Sequence, residues 1–281
     1  MAIVSSIPLL AVVIPSGDQR RDDSLQGLLT DIRQQTVAAA QVEVVRGIHP
    51  NGKARNQGAE RTQSQYLIFL DDDVRLGHPK VFENLIAGLQ DPSIGLVGTA
   101  QLLPPDSSEF QKSCALQISR SQSEVVESIT DSDMVTTQCC AVRRHDFERL
   151  GGFNDRIPRG VDPELRHRVR GAGLRVCVVP QSWHYHPMPK TWKALWTMAW
   201  RNGASSAFVQ RHHPEAVLFN PEGHTARFEA RRSFATRVFD RVAGLAGAIL
   251  GRQWGRLVYD LAYALGYFSI KLKPSASSPR G

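Results

Sequence analysis

Apolar residues come in short solid blocks separated by stretches of helical period, and that alternation sets the first expectation for the fold. Residues 9–14 (LLAVVI) form a strand-length run stopped by Pro15, Ser16 and Gly17. In residues 24–36, Leu25, Leu28, Leu29 and Ile32 recur at helical spacing and predict an amphipathic helix. A second strand is expected in 41–48, a turn at 49–52 (HPNG) and a helix over 53–63. The third block, 66–70 (YLIFL), is continuous, as a strand buried on both faces must be. Beyond it the pattern predicts a helix over 81–89, a strand over 94–98, a mobile loop over 102–112 and a strand over 134–142. A short helix over 144–150, a turn at 151–153, a helix over 162–170 and a strand over 174–179 closed by Pro180 complete it. This β-α-β-α-β order predicts a parallel sheet with helices on its faces.

The third block ends in Asp71, Asp72 and Asp73. Unpaired carboxylates cannot sit inside a buried strand, so the acids belong where it emerges, at its C-terminal edge. In open α/β sheets that edge is where ligands bind. Asp71 and Asp73 can share one side while Asp72 takes the other, and paired hard oxygens suit Mg²⁺ or Mn²⁺ with a substrate phosphate. Alternatives are a solvated acidic turn and a phosphatase motif with an aspartate nucleophile, although Arg75 stands where that motif has Thr or Val.

Composition narrows the class. The chain has 281 residues, 42% hydrophobic and 22% charged, enough for a large α/β domain with an appendage. A net charge of +7 points to an anionic partner: nucleotide, phospholipid or nucleic acid. Residues 227–273 carry nine Lys/Arg against three acids, +6 of that excess. The four cysteines form no CxxC pair and read as reduced, buried thiols of a cytosolic protein. The N-terminal 15 residues lack a basic leader and read as part of a first strand, not a signal peptide.

Other motifs carry a structural reading beside a functional one. Lys53, Arg55 and Asn56 open a helix, where N-terminal amides and cations attract a diphosphate. Asp162-Pro163 fits a helix N-cap followed by Pro at the first position, yet a carboxylate there also serves as a base if substrate reaches it. His184 and His186 alternate with aromatic residues, so both face one side of an extended segment, as metal or phosphate ligands would. Trp192, Trp196 and Trp200 make a helical stripe, expected in the core or else at an acceptor groove or membrane interface.

In this order the motifs resemble the family 2 nucleotide-sugar glycosyltransferases, which have the GT-A fold. The matching residues are Val13-Ile14-Pro15-Ser16, Ala54 to Gly58, Phe69 to Asp73, Arg143-Arg144 through Asn154, Gly160-Val161-Asp162, and Val179-Pro180 through His186. The likeness spans roughly residues 10–187. It implies a Rossmann-like, mostly parallel central sheet flanked by helices: a catalytic domain over 1–190 with a helical C-terminal extension over 191–281. The implied activity is an inverting, hexosyltransferase-like transfer from a nucleotide sugar to a glycan or lipid-linked hydroxyl. Asp162 falls on the position of the catalytic base. Pro15, Ser16, Lys53, Arg55, Asn56, Asp71 and Asp72 fall near the donor. Asp71, Asp73 and His186 fall around Mg²⁺ or Mn²⁺. The partners implied are donor and acceptor, with no nucleic acid. Independently of the resemblance, residues 242–250 and 257–270 are apolar but interrupted by Arg252, Arg256 and Asp260, too short to span a bilayer. With the basic excess around them they are expected either to lie on an anionic membrane surface, peripheral on its cytoplasmic inner face, or to pack as a helical pair on the catalytic domain or a dimer partner. Two departures stand out. The acid that usually follows the second strand and reads the base is missing from Val44-Val45-Arg46-Gly47, and the acid common before the catalytic Asp is Val161. The rival readings are a phosphatase-like hydrolase and a non-catalytic sugar-nucleotide binder.

Overall fold

The computed structural model describes residues 10–17, 22–214 and 243–271. Its strands are β1 (Leu10–Ser16), β2 (Gln41–Arg46), β3 (Tyr66–Leu70), β4 (Arg75–Leu76), β5 (Ile94–Leu102), β6 (Thr130–Asp131), β7 (Cys139–Arg143) and β8 (Arg175–Tyr185). They make one sheet in the order β2-β1-β3-β7-β5-β8-β4, with β6 also on β8. The pairings run β1, β2, β3, β5 and β8 in one direction, with β4, β6 and β7 opposed. The helices are α1 (Asp22–Arg33), α2 (Asn51–Glu60), α3 (Val81–Gly88), α4 (Glu109–Gln117), α5 (Arg144–Arg149), α6 (Asp162–Gly171), α7 (Trp192–His212) and α8 (Trp254–Lys271). Residues 243–250 are also helical.

β3 shows why its sequence is solidly apolar. Tyr66, Ile68 and Leu70 join a core with Leu25 and Leu28 of α1 and Phe82 and Leu85 of α3. Leu67 and Phe69 join the opposite core, with Phe147, Phe153, Leu165 and Val169. Phe69 meets Phe147 and Phe153 at centroid distances of 5.2 and 4.9 Å. Each buried Leu or Phe contributes about 1.5–3 kcal/mol, so β3 cannot slide to take an aspartate inside.

The structure corrects several expectations. β1 runs on through Pro15 to Ser16, paired in register with Val45 and Arg46 of β2. The 49–52 turn is shorter than expected, because α2 already begins at Asn51. The loop expected over 102–112 gives way to α4, begun by a capping box in which Ser108 and Gln111 bond each other's backbone amides. Residues 134–138 are not strand; β7 starts at Cys139. β8 does not stop at Pro180: the ladder jumps from Gly98↔Val178 to Ala100↔Trp183, so the bulge holds Pro180 where no ladder N–H is needed.

The tryptophan stripe is not core. Trp192, Trp196 and Trp200 are each at least 36% exposed. α7 instead buries Leu195, Ala199, Gly203, Ser205, Ala207 and Val209. That mainly small face lets α8 come close: a Cβ on Gly203 would overlap the Tyr263 carbonyl, and one on Gly266 the Trp200 carbonyl. Among the described residues no helix is long and apolar enough to cross a membrane. Most of the basic cluster counted in the tail, like the first nine residues, lies outside the described residues.

Candidate active site

Parallel strands bring their C-terminal ends to one edge, and the chemistry gathers there. β1 ends at Ser16, β3 runs into Asp71, and β8 runs into His186. β3 and β8 are three strand steps apart in the sheet, about 14 Å at the usual spacing. β4 closes that gap: Arg75 and Leu76 pair with Tyr185 and His184, carrying the chain from β3 across to β8. Ligand atoms of Asp71, Asp73 and His186 then lie within 4.8 Å of one another. His186 Nε2 is 3.6 Å from Asp73 Oδ1. Two carboxylates and an imidazole fit a divalent ion, and the imidazole favours Mn²⁺ over the all-oxygen shell that Mg²⁺ prefers.

Arg55 fixes the first acid. It projects from α2, buried, and donates from Nη2 to Asp71 Oδ1 at 2.5 Å. Its guanidinium lies 5.6 Å from the centre of the Phe153 ring. Its Nε is buried with no hydrogen-bond partner, as is Ser16 Oγ at the end of β1. Unsatisfied buried polar atoms cost roughly 1–3 kcal/mol each, and here two flank the site expected to take a polar ligand. Burial raises the Asp71 carboxyl above its ordinary value; Arg55 pulls it back and Asp73 pushes it up.

Asp162 is not the cap that the sequence suggests. The N-cap of α6 is Val161, with no side-chain capping bond. Asp162 is the first helical residue, and its Oδ1 accepts the Thr137 backbone N–H at 2.7 Å. Its charge is among the smaller influences that raise the Asp71 carboxyl.

The other expected residues divide. Pro15 and Ser16 are buried at the edge, and Asp72 is buried while its neighbours Asp71 and Asp73 are half-buried. Asn56 does not turn to this edge: both ends of its amide bond the Phe153 backbone, at 2.8 and 2.9 Å, pinning the Gly151-Gly152-Phe153 turn. Lys53 is exposed, about 200° around α2 from Arg55. His184 is structural. It is buried, 2.8 Å from Thr99 Oγ1 and 3.3 Å from Gln138 Oε1, and burial lowers its pKa to about 3, so it stays neutral. The sequence reading did not single out Gln138, whose carbonyl accepts the Asp71 N–H at 3.1 Å, nor Arg166 behind Asp162. Its place one helical turn after Asp162 was the available signal for the second.

Comparison with known proteins gives consistent results. A family model described as glycosyltransferase like family 2 matches residues 1–205. The O-antigen biosynthesis protein RfbC of Myxococcus xanthus is 27% identical over 143 residues, covering 45% of this chain but only 11% of that protein. The mannosyltransferase PcManGT from Pyrobaculum calidifontis, solved with GDP-Man and Mn²⁺, has a similar fold. Its TM-score is 0.60 at 14% identity, over 94% of this chain and 88% of that one.

Proposed function

The chain belongs to the glycosyltransferase-like family 2 and has the GT-A fold, and on that premise we propose that it is an inverting, metal-dependent transferase with Asp162 as general base. The observation that carries the reading is the Asp71–Asp73–His186 group at the sheet edge; Asp162, at the start of α6, is held by Thr137 just before Gln138, which bonds Asp71. Asp71, Asp73 and His186 would hold Mn²⁺ or Mg²⁺. The ion supplies charge neutralisation for a nucleoside diphosphate leaving group.

The chain's own groups account for the rest. Arg55 holds Asp71 by Oδ1. Asp162 has Oδ1 occupied by Thr137, leaving Oδ2 to accept the acceptor's proton. The acceptor oxygen attacks the anomeric carbon as the bond to the diphosphate breaks, so one displacement inverts the centre and the proton ends on Asp162. Ser16 Oγ and Arg55 Nε are supporting polar partners for the donor.

The catalytic part spans residues 1–190, and the C-terminal extension after it, with α7 and α8 helical, rests on an anionic membrane at its cytoplasmic face. Support comes from α7, which exposes Trp192, Trp196 and Trp200 and has Lys193, Arg201 and Arg211 but no acid in its 21 residues. Tryptophan and cations together favour such an interface. A lipid-linked or glycan acceptor would meet the site there, and the O-antigen role of the RfbC relative agrees with that acceptor class.

The test is a thermal-shift screen of UDP-, GDP- and dTDP-sugars with Mn²⁺ or with EDTA. A ligand bound only by the folded state raises its stability. One donor class raising Tm only with the metal supports the reading; no shift with any donor rejects it.

A further inference from the structure

α6 presents Asp162, Arg166 and Arg170 at four-residue steps, one stripe of the helix. All three bind the same irregular segment, residues 132–137. Thr137 N–H donates to Asp162 Oδ1 at 2.7 Å. Arg166 Nη1 donates to the Val135 carbonyl at 2.6 Å. Arg170 donates to the Ser132 carbonyl at 3.1 Å and to Asp133 Oδ1 at 2.8 Å. Arg120 also donates to the Asp133 carbonyl, at 2.5 Å. The segment then passes into Gln138, which accepts the Asp71 N–H. One strap therefore links α6 to the acidic edge.

Arg166 is the central tie and the costly one. It is 7% exposed, and its Nε lies 3.9 Å from Asp133 Oδ1. Burial lowers its pKa to about 10, against support from Asp162 and Asp133, so it remains charged at neutral pH. Burying a guanidinium where an apolar side chain would fill the space is seldom a gain in stability. A role in holding geometry accounts for it better.

We infer that Arg166 is a positioning residue for the transfer reaction: by gripping the Val135 carbonyl it holds the Thr137 N–H on Asp162 Oδ1, and so fixes the carboxylate with Oδ2 free for the acceptor hydroxyl. This rests on the reading of Asp162 as the base. Loss of the tie lets the carboxylate turn or shift, and a displacement of about 1 Å at a reacting group costs on the order of 10²-fold.

The experiment compares Arg166→Met and Arg166→Lys with the wild type. Amide exchange is followed in the peptide spanning 132–138. Turnover is read as nucleoside diphosphate released to water from the UDP-, GDP- and dTDP-sugar panel with Mn²⁺. In Arg166→Met the Thr137 amide should exchange faster and kcat should fall roughly 10- to 100-fold, while donor KM stays within about twofold. KM should hold because Asp71 is also fixed by Arg55 and by the pairing of β3 with β1 and β7, while Asp73 and His186 lie outside the strap. Arg166→Lys, which still offers one bond to the Val135 carbonyl, should recover part of kcat. Unchanged Thr137 exchange in Arg166→Met, kcat and KM moving together, or Lys rescuing nothing would each overturn the inference. Should Arg166→Met not fold, Arg166→Lys decides alone: reduced kcat at constant KM supports it and wild-type kcat overturns it. Asp162→Asn run alongside separates the two readings, since its amide oxygen still accepts the Thr137 N–H. Full turnover in that variant removes the base assignment, whatever the strap does.

Discussion

Asp162 heads α6 while its Oδ1 serves another segment, so substitution there separates holding from proton transfer. Asp162→Asn keeps an acceptor for Thr137 and should fold and bind donor and metal normally. Turnover should drop by about 10²–10⁴-fold, the usual worth of a general base. Near-normal steady-state rates would leave the base unassigned, with Glu164 a weak substitute because Arg168 holds both its oxygens. The four cysteines give a second residue-scale test, being free and buried. Burial raises the Cys139 thiol to about 12 from 9.0, so it stays protonated in the fold while an unfolded chain ionises. Stability from this group is complete below about pH 9 and is lost as pH rises toward 12. Ellman's reagent at pH 8 should therefore label no thiol until denaturant is added; rapid labelling of the native protein would contradict the burial.

Among the elements, the close approach of α7 and α8 depends on two glycines. Gly203 and Gly266 each face the backbone carbonyl of the other helix, which cannot rotate away. Gly203→Ala or Gly266→Ala should cost about 1–3 kcal/mol by overpacking, read as a lower unfolding midpoint and faster exchange in α8. An unchanged midpoint would mean the helices separate at little cost. The same scale shows what the sequence could and could not convey. β3 was legible to its ends because a strand buried on both faces must be solidly apolar, and the acids mark where burial stops. β4 was not legible, since two residues carry no period; yet it is β4 that puts Asp73 beside His186. Pro180 misled for a physical reason as well, because a bulge removes the demand for its missing N–H. At Asn56 the residue matched a family motif while its amide went to Phe153, a long-range bond that no local pattern foretells.

For the whole molecule, the acidic sheet edge and the exposed tryptophans of α7 belong to one chain that passes from His186 to Trp192 in six residues. That short link would hold a membrane-bound acceptor near the acids. Flotation should show the protein rising with anionic liposomes at low salt and leaving them at high salt, since the attraction is screened. Replacing Trp192, Trp196 and Trp200 by Ala should weaken it; no flotation at low salt would reject membrane contact without touching the transfer chemistry.

The central claim is that Asp71, Asp73 and His186 hold the ion on which donor binding depends. Calorimetric titration tests it most directly, using the sugar nucleotide selected by the thermal screen. Three cells are compared: wild type with Mn²⁺, wild type with EDTA, and Asp73→Ala with Mn²⁺. Tight binding is expected in the first cell alone, because without the ion the two aspartates repel the diphosphate. Equal affinity in all three cells would contradict it.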